Sequence, residues 1–522
     1  MMTWNRSLTL ATPFTLSFIL ITVFSFGQAA QAQESKISWP QFRGPDANPV
    51  SKQQDLPDEW SKSKNIEWST SLDGRGWSSP IVVGDKVFVT SAVIDGESKP
   101  PQVGTDYSND YVRELSQQGL SQEEIKQKVM ERDFELPDQV TLKYFLVCLD
   151  LNTGKEQWKK QFFQGNPPGG RHRKNSFASE TPTTDGKHVF VYIGNLGLFA
   201  FDLDGNKKWN TILDAKPVYM EFGTGSSPVV CNGNVIVVND NEEESFIAAY
   251  HPETGKEVWK TKRSVGPNYP SAMPKSGWAT PFIWKNELRT EIVTVQPGSA
   301  VSYDVDGNEL WRLKGCTPAP AASSFAYNGQ LYLNGGKGSP IFAIQPGAKG
   351  ELTLKKTSTS SDQADASSAN SDDEDSSEPK SKSSEEKQLD AVQPDNQEKE
   401  SLITWQRPRA GTYIPTPVIY DGGVYVIQDN GILQRLDAET GNQSYKERLK
   451  DKGADFTTSP WAYNGKVFFH SEQGDTYVVE AGEEFKLVRV NQLGEFSMAS
   501  PAIVGNRLLL RTQNAIYCIR NL

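Results

Sequence analysis

The residues best suited to chemistry sit in two charged stretches. Arg171-His172-Arg173-Lys174 is a basic run, followed closely by Asn175, Ser176 and Glu180. Asp240-Asn241-Glu242-Glu243-Glu244 is an acidic one. An acidic loop facing a basic loop offers a site for a polar ligand, or for a cation held by Asp240 and Glu242, since hard cations take carboxylate oxygens. The plain alternative is a solvated rim of salt bridges, each worth little. Tyr219, Phe222, Trp278 and Tyr413 add aromatic surface close to the same loops. Arg171, His172, Arg173, Asn175, Glu180, Tyr219, Trp278 and Tyr413 form the expected ligand-binding set, and no residue is assigned a catalytic role. The chain has 4 His and no HxH or HExxH, which argues against zinc. It also lacks GxSxG, a P-loop and a strand-to-helix GxGxxG, so hydrolase and nucleotide chemistry find no support.

A repeated phrase must position these loops. Thr416-Pro417 opens an apolar strand, Asp421-Gly422 turns it, and Val424-Tyr425-Val426-Ile427 runs back. A third strand ends in Leu436-Asp437, and Thr440-Gly441 turns again. The phrase restarts at Pro80, Pro182, Pro228, Pro281, Pro318, Pro417, Pro460 and Pro501, with an uninterrupted period of roughly 40–50 residues. Short strands at that period are the mark of propeller blades. The expected fold is all-β: an eight-bladed β-propeller of four-stranded antiparallel blades. Its last blade stops at Ile516–Arg520, before a fourth strand, while Asn65–Thr70 is a strand without a partner. Joining the two closes the ring and leaves no open sheet edge between the first and last blades. Trp68, Trp158, Trp209, Trp259 and Trp311 recur at the fourth strand and are expected to pack between blades.

Two inserts interrupt the pattern. Residues 94–140 hold a helical hairpin in the first blade, its second helix announced by the capping box Ser121-Gln122-Glu123-Glu124. Residues 356–399 are Ser-, Asp-, Glu-, Lys- and Gln-rich without an aromatic, and read as a disordered insert in the fifth blade whose deletion leaves stability nearly unchanged. Turns between first and second strands are short, so function is expected on the opposite face. That face carries the helical insert and the connections 164–180, 213–226 and 261–279.

The first 32 residues read as a signal peptide. Arg6 precedes an apolar run from Leu8 to Phe26, and Ala30-Gln31-Ala32 supplies a small-x-small cleavage pattern. The propeller then spans 33–522, periplasmic or secreted, with no stable membrane span after cleavage; an uncleaved anchor is the alternative. The formal net charge of -11 argues against a nucleic-acid partner. Cys148, Cys231, Cys316 and Cys518 form no CxxC and no adjacent pair, and are expected as buried free thiols.

Ser/Thr-Pro-x4-Gly-x-Val-Tyr-Val followed by Leu-Asp-x2-Thr-Gly-x3-Trp resembles the pyrroloquinoline quinone (PQQ) repeat, clearest at 79–158, 227–259 and 416–441. The resemblance implies the propeller fold and two kinds of relative. One is the BamB-like assembly factor, a cofactor-free periplasmic scaffold that binds proteins. The other is the quinoprotein alcohol dehydrogenase, which holds PQQ and Ca2+ on the axis, usually beneath an adjacent-cysteine disulfide that this chain lacks. In the second case Trp278 is the candidate floor and Asp240 or Glu180 the candidate ligand. The expected function is therefore an exported scaffold for a protein or polar ligand, with a PQQ- and Ca2+-dependent alcohol or sugar dehydrogenase as the alternative.

Overall fold

The computed structural model describes residues 37–53, 55–96, 98–104, 107–136, 140–266, 268–352, 402–449 and 455–522. The expected signal peptide, 1–32, and the expected disordered insert, 356–399, lie outside them. Eight four-stranded antiparallel blades follow one another around an axis. Blade 1 is built on Ile81–Val83, Lys86–Asp95, Thr141–Asp150 and Glu156–Gly165, and the same order repeats through blade 7, which ends at Leu487–Gln492. Blade 8 takes Ala502–Val504, Arg507–Arg511 and Ala515–Ile519 from the end of the chain, and its outer strand is Ile66–Ser71. The closing strand is thus the one the sequence predicts. It is pinned by Glu67, whose carboxylate accepts from Arg507 Nε at 2.6 Å and lies 3.0 Å from Arg520 Nη1.

The Ser/Thr-Pro start of the repeat has a specific use. Each blade's backbone N–H at this position donates to the hydroxyl of the equivalent residue in the next blade. The chain of donors runs from Ser79 through Thr181, Ser227, Thr280, Ser323, Thr416 and Ser459 to Ser500, in seven bonds of 2.9–3.1 Å. In blade 5 the position belongs to Ser323-Ser324, which corrects the start expected at Pro318. Pro318 lies upstream, in the connection that enters the blade. The eighth bond, between blades 8 and 1, is missing among the described residues, and the Ser79 hydroxyl is buried without a partner. Arg511 fills this seam, donating to the Ser78 carbonyl at 2.9 Å and the Thr90 carbonyl at 2.8 Å.

The outer-strand tryptophans dock as expected, and the Thr-Gly or Asp-Gly turn before the next blade's outer strand is their receptor. Trp68, Trp158, Trp209, Trp259 and Trp405 each lie over a turn glycine of the next blade, where an added Cβ would come within 2.3–2.9 Å of the ring. Four of the indole N–H groups also reach a carbonyl beside that turn, at 2.7–3.0 Å. Trp311 departs from the pattern because the turn it would meet in blade 5 is replaced by the insert. Its Nε1 donates instead to Glu291 within its own blade at 2.7 Å. Beyond it, Gly350–Leu352 adds a fifth, parallel strand to blade 4.

The segment from Trp39 to Ser51 is a strap inside the ring, and residues 56–60 then run out across blade 7, where Asn464 and Asn491 Nδ2 donate to the Leu56 and Asp58 carbonyls at 3.0 Å. Ile37–Trp39 pairs with the innermost strand of blade 1. Pro40 accepts from Thr184 N in blade 2 at 3.0 Å. The Arg43 guanidinium donates to the Thr416 and Pro417 carbonyls at 2.8 and 2.6 Å, and Asn48 pairs with both backbone groups of Ile419. Ala462 in blade 7 is bonded on both sides, to Pro49 and Ser51. Only a chain lying in the axial channel reaches the free edges of so many innermost strands. The strap runs along the axial edges of blades 1, 2, 6 and 7, and its Arg43 reaches the Thr416-Pro417 start of blade 6.

The helices of the blade 1 insert are Tyr107–Gln117 and Gln122–Asp133, with both halves of the Ser121/Glu124 capping box formed. All four cysteines are free and buried. Among the described residues no helix is long and apolar enough to cross a membrane.

Candidate functional site

On the long-loop face the structure joins most of the expected residues, and their charges are spent on partners outside the expected set. The turn at Arg171–His172 pairs with Phe134–Glu135 at the end of the helical insert. Arg171 is 1% exposed. Its guanidinium meets the Glu135 carboxylate and donates from Nη1 to the Asn175 carbonyl at 2.7 Å. Burial lowers its pKa to about 10, against the pull of Glu135. The His172 ring stands edge-on to Phe134 with centroids 5.1 Å apart, and burial lowers its pKa to about 4, so it is neutral. Arg173 Nε lies 3.4 Å from Asp133. Lys174 reaches the fully buried Glu472 of blade 7, at 2.8 Å. Glu472 also accepts from the Gly104 N–H at 3.0 Å, so the insert, the 164–180 connection and blade 7 meet at one carboxylate.

Asn175 ties this connection to the next, donating to Phe222 and Thr224 carbonyls at 2.9 and 3.2 Å. Glu180 is buried, and burial raises its pKa. Its Oε1 accepts from Thr224 Oγ1 at 2.5 Å and from Gly194 N at 3.2 Å, while Oε2 has no hydrogen-bond partner among the described residues. Phe222 sits amid an aromatic group, 5.9 Å from Tyr219, 6.0 Å from His172 and Phe134, and 6.3 Å from Trp278. Trp278 Nε1 donates to the Gly223 carbonyl at 2.7 Å. Tyr413 lies apart from this group, on the connection between blades 5 and 6, with the Lys337 ammonium 5.4 Å from its ring.

The two candidate cation ligands diverge. Asp240 makes a two-oxygen contact with Arg263 at 2.7 and 3.0 Å. Burial raises the Asp240 pKa against the pull of Arg263. For Arg263, burial acts to lower the pKa, but the Asp240 carboxylate outweighs it and holds the guanidinium above its usual value. Glu242 caps another turn, accepting from the Lys275 and Ser276 N–H groups at 3.0 Å and from Ser276 Oγ at 2.6 Å. Among the described residues no group of three His, Cys, Asp or Glu side chains could hold a metal. Between Trp278, Asn239, Asp240 and Thr224 lies a cavity of about 10 Å³, room for one water.

These residues do not fit PQQ and Ca2+. A planar tricarboxylate needs a slot and uncommitted cations, whereas Arg171, Arg173 and Lys174 face Glu135, Asp133 and Glu472, and the space beside Trp278 is water-sized. No local pattern in the sequence points to those three partners. Glu135 and Asp133 lie in the insert, and Glu472 is in a blade 7 loop 298 residues beyond Lys174.

Eight blades, the hydroxyl ring and the Trp-on-Gly docking define the class of PQQ-like eight-bladed β-propellers. The family described as outer membrane protein assembly factor BamB matches residues 140–269 and 216–447, together more than half of the chain. The chain belongs to that family. Quinohemoprotein alcohol dehydrogenase from Comamonas testosteroni superposes with a TM-score of 0.56 at 12% identity, over 93% of this chain and 81% of its own. A europium-containing methanol dehydrogenase gives 0.53 at 11%, over 92% and 90%. BamB from Moraxella catarrhalis gives 0.47 at 10%, over 87% and 98%. At these identities the likeness is one of fold. No curated protein sequence matches the chain.

Proposed function

We propose that this protein is an exported scaffold that binds a protein partner on the long-loop face and performs no catalysis of its own. One observation carries the reading. The charged groups of that face brace its loops, while the turn Tyr219–Glu221 projects a hydrophobic side chain. Met220 is 49% exposed, and Met220 and Glu221 both hold positive φ, of 48° and 53°. Backbone strain of this kind persists where the surroundings enforce it, and it concentrates at functional sites. Here Glu221 is held by the Gly170 N–H at 2.7 Å and Tyr219 N by Ser276 Oγ at 2.9 Å. A braced turn offering a methionine beside aromatics suits a protein surface. The family's description as an assembly factor and the leader-like residues 1–32 support an exported protein partner.

The test has two arms. Titrating the purified protein with PQQ and Ca2+ in a dye-reduction assay should give neither saturable binding nor reduction; saturable binding with reduction would establish the dehydrogenase reading instead. Affinity capture from envelope extract should recover a discrete partner that is lost when residues 213–226 are shortened or Met220→Asp is introduced. Capture unaffected by either change would remove the long-loop face from consideration.

A further inference from the structure

The opposite face holds a second cleft, at the junction of blades 3 and 4. Seven blades join their first and second strands through tight turns, such as Asn232-Gly233 and Asn464-Gly465. Blade 4 alone places four residues, 286–289, between Phe282–Lys285 and Thr290–Gln296. This taller hairpin walls a cleft of about 480 Å³ lined by Asn232, Lys285, Arg289, Thr290, Asp304 and Val305.

The hairpin is built rather than loose. Glu291 is fully buried. Its Oε1 accepts from Asn286 Nδ2 at 3.1 Å and Arg289 Nε at 3.0 Å, and its Oε2 accepts from Ser302 Oγ and Trp311 Nε1. Arg289 Nη2 donates to the Ala348 carbonyl at 2.6 Å, so this guanidinium is fixed in orientation, with Nη1 uncommitted among the described residues. Lys285 is exposed and makes no hydrogen bond or ion pair among the described residues. The one carboxylate in the lining is already used. Asp304 Oδ1 accepts from Asp306 N and Asn308 N, and Oδ2 accepts from Asn308 Nδ2. The cleft therefore presents a free ammonium, a positioned guanidinium edge, a hydroxyl and a carboxamide, while the Asp304 carboxylate is engaged by its own turn.

We propose that this cleft binds an oxyanion, a phosphate or carboxylate group of a small ligand, with Lys285 as its principal charge and Arg289 as its orienting donor. Planar guanidinium and compact ammonium groups are the usual pair for such groups. The site is independent of the long-loop face and of the partner proposed there.

Isothermal titration of the full chain with inorganic phosphate and, separately, with acetate at physiological salt tests it and tells the two sources apart. Saturable binding of either is expected, weakened roughly tenfold or more in Lys285→Gln, because that variant removes the cleft's principal charge and a charge-assisted hydrogen bond. Lys285 has no partner to lose, so the variant should melt with wild type. Lys256→Gln, at the turn before blade 3's outer strand, should bind as wild type does. Absence of saturable binding by the wild type, or equal binding by Lys285→Gln, would overturn the proposal.

Discussion

At the scale of single residues, the repeat's glycines and buried histidines make the clearest predictions. Gly255 has φ +67°, and an added Cβ would lie 2.3 Å from the Trp209 ring. Gly255→Ala must displace a docked indole as well as strain the backbone, so a loss of about 3 kcal/mol is expected by thermal or denaturant unfolding. Gly233 has a similar φ, +77°, with nothing near its Cβ position, and its alanine variant should lose only about 1 kcal/mol. Equal losses would mean that the tryptophans are not what the glycines are for. His470 is fully buried, its Nδ1 2.7 Å from Thr476 Oγ1, and burial lowers its pKa to about 4. Unfolded, it titrates near 6.5, so between those values the unfolded state holds the extra proton. Its contribution is intact above pH 6.5 and is lost as pH falls towards 4, on the order of 3 kcal/mol in all. Unfolding free energies for His470→Gln should therefore fall less steeply over that window than those of wild type.

At the scale of elements, the insert and the strap show where sequence reading reaches its limit. The helical hairpin and its cap were legible because capping chemistry is local, within Ser121 to Glu124. Blade strands, turns and the closing strand were legible because the repeat states them eight times. What the insert docks against was not legible, since Glu135–Arg171 and Lys174–Glu472 join residues that no periodicity relates. The same holds for the strap, whose Arg43 satisfies carbonyls 373 and 374 residues away. Placing the site loops on one face was sound, but their charges are structural, a distinction that depends on partners. Glu472→Gln leaves Lys174 without its carboxylate in a nearly dry setting, a loss of about 3 kcal/mol. Hydrogen exchange should rise in 98–104 and 171–174 while the blades stay protected. Ser121→Ala, by comparison, should cost only about 1 kcal/mol, confined to Gln122–Asp133.

At the scale of the whole molecule, closure depends on one stretch of chain. Residues 37–71 supply both the axial strap and the outer strand of blade 8, so deleting them removes the closing pair and the strap at once. Such a variant should lose its single cooperative unfolding transition, and a synthetic peptide of residues 37–72 added in trans should restore it; a truncated ring that still melts as wild type does would contradict this account. The same arrangement bears on how the molecule is made. Glu67 meets Arg507, 440 residues later, so a strand synthesised early waits for nearly the last. Until then its partner edge is open, and seven blades can assemble in order while the ring remains a horseshoe. Such distant pairing folds slowly and keeps a template for wrong strand pairing exposed. A chain of this design is at its most vulnerable while unfinished, because the outer strand of blade 8 has no partner until the last strands of the chain are made.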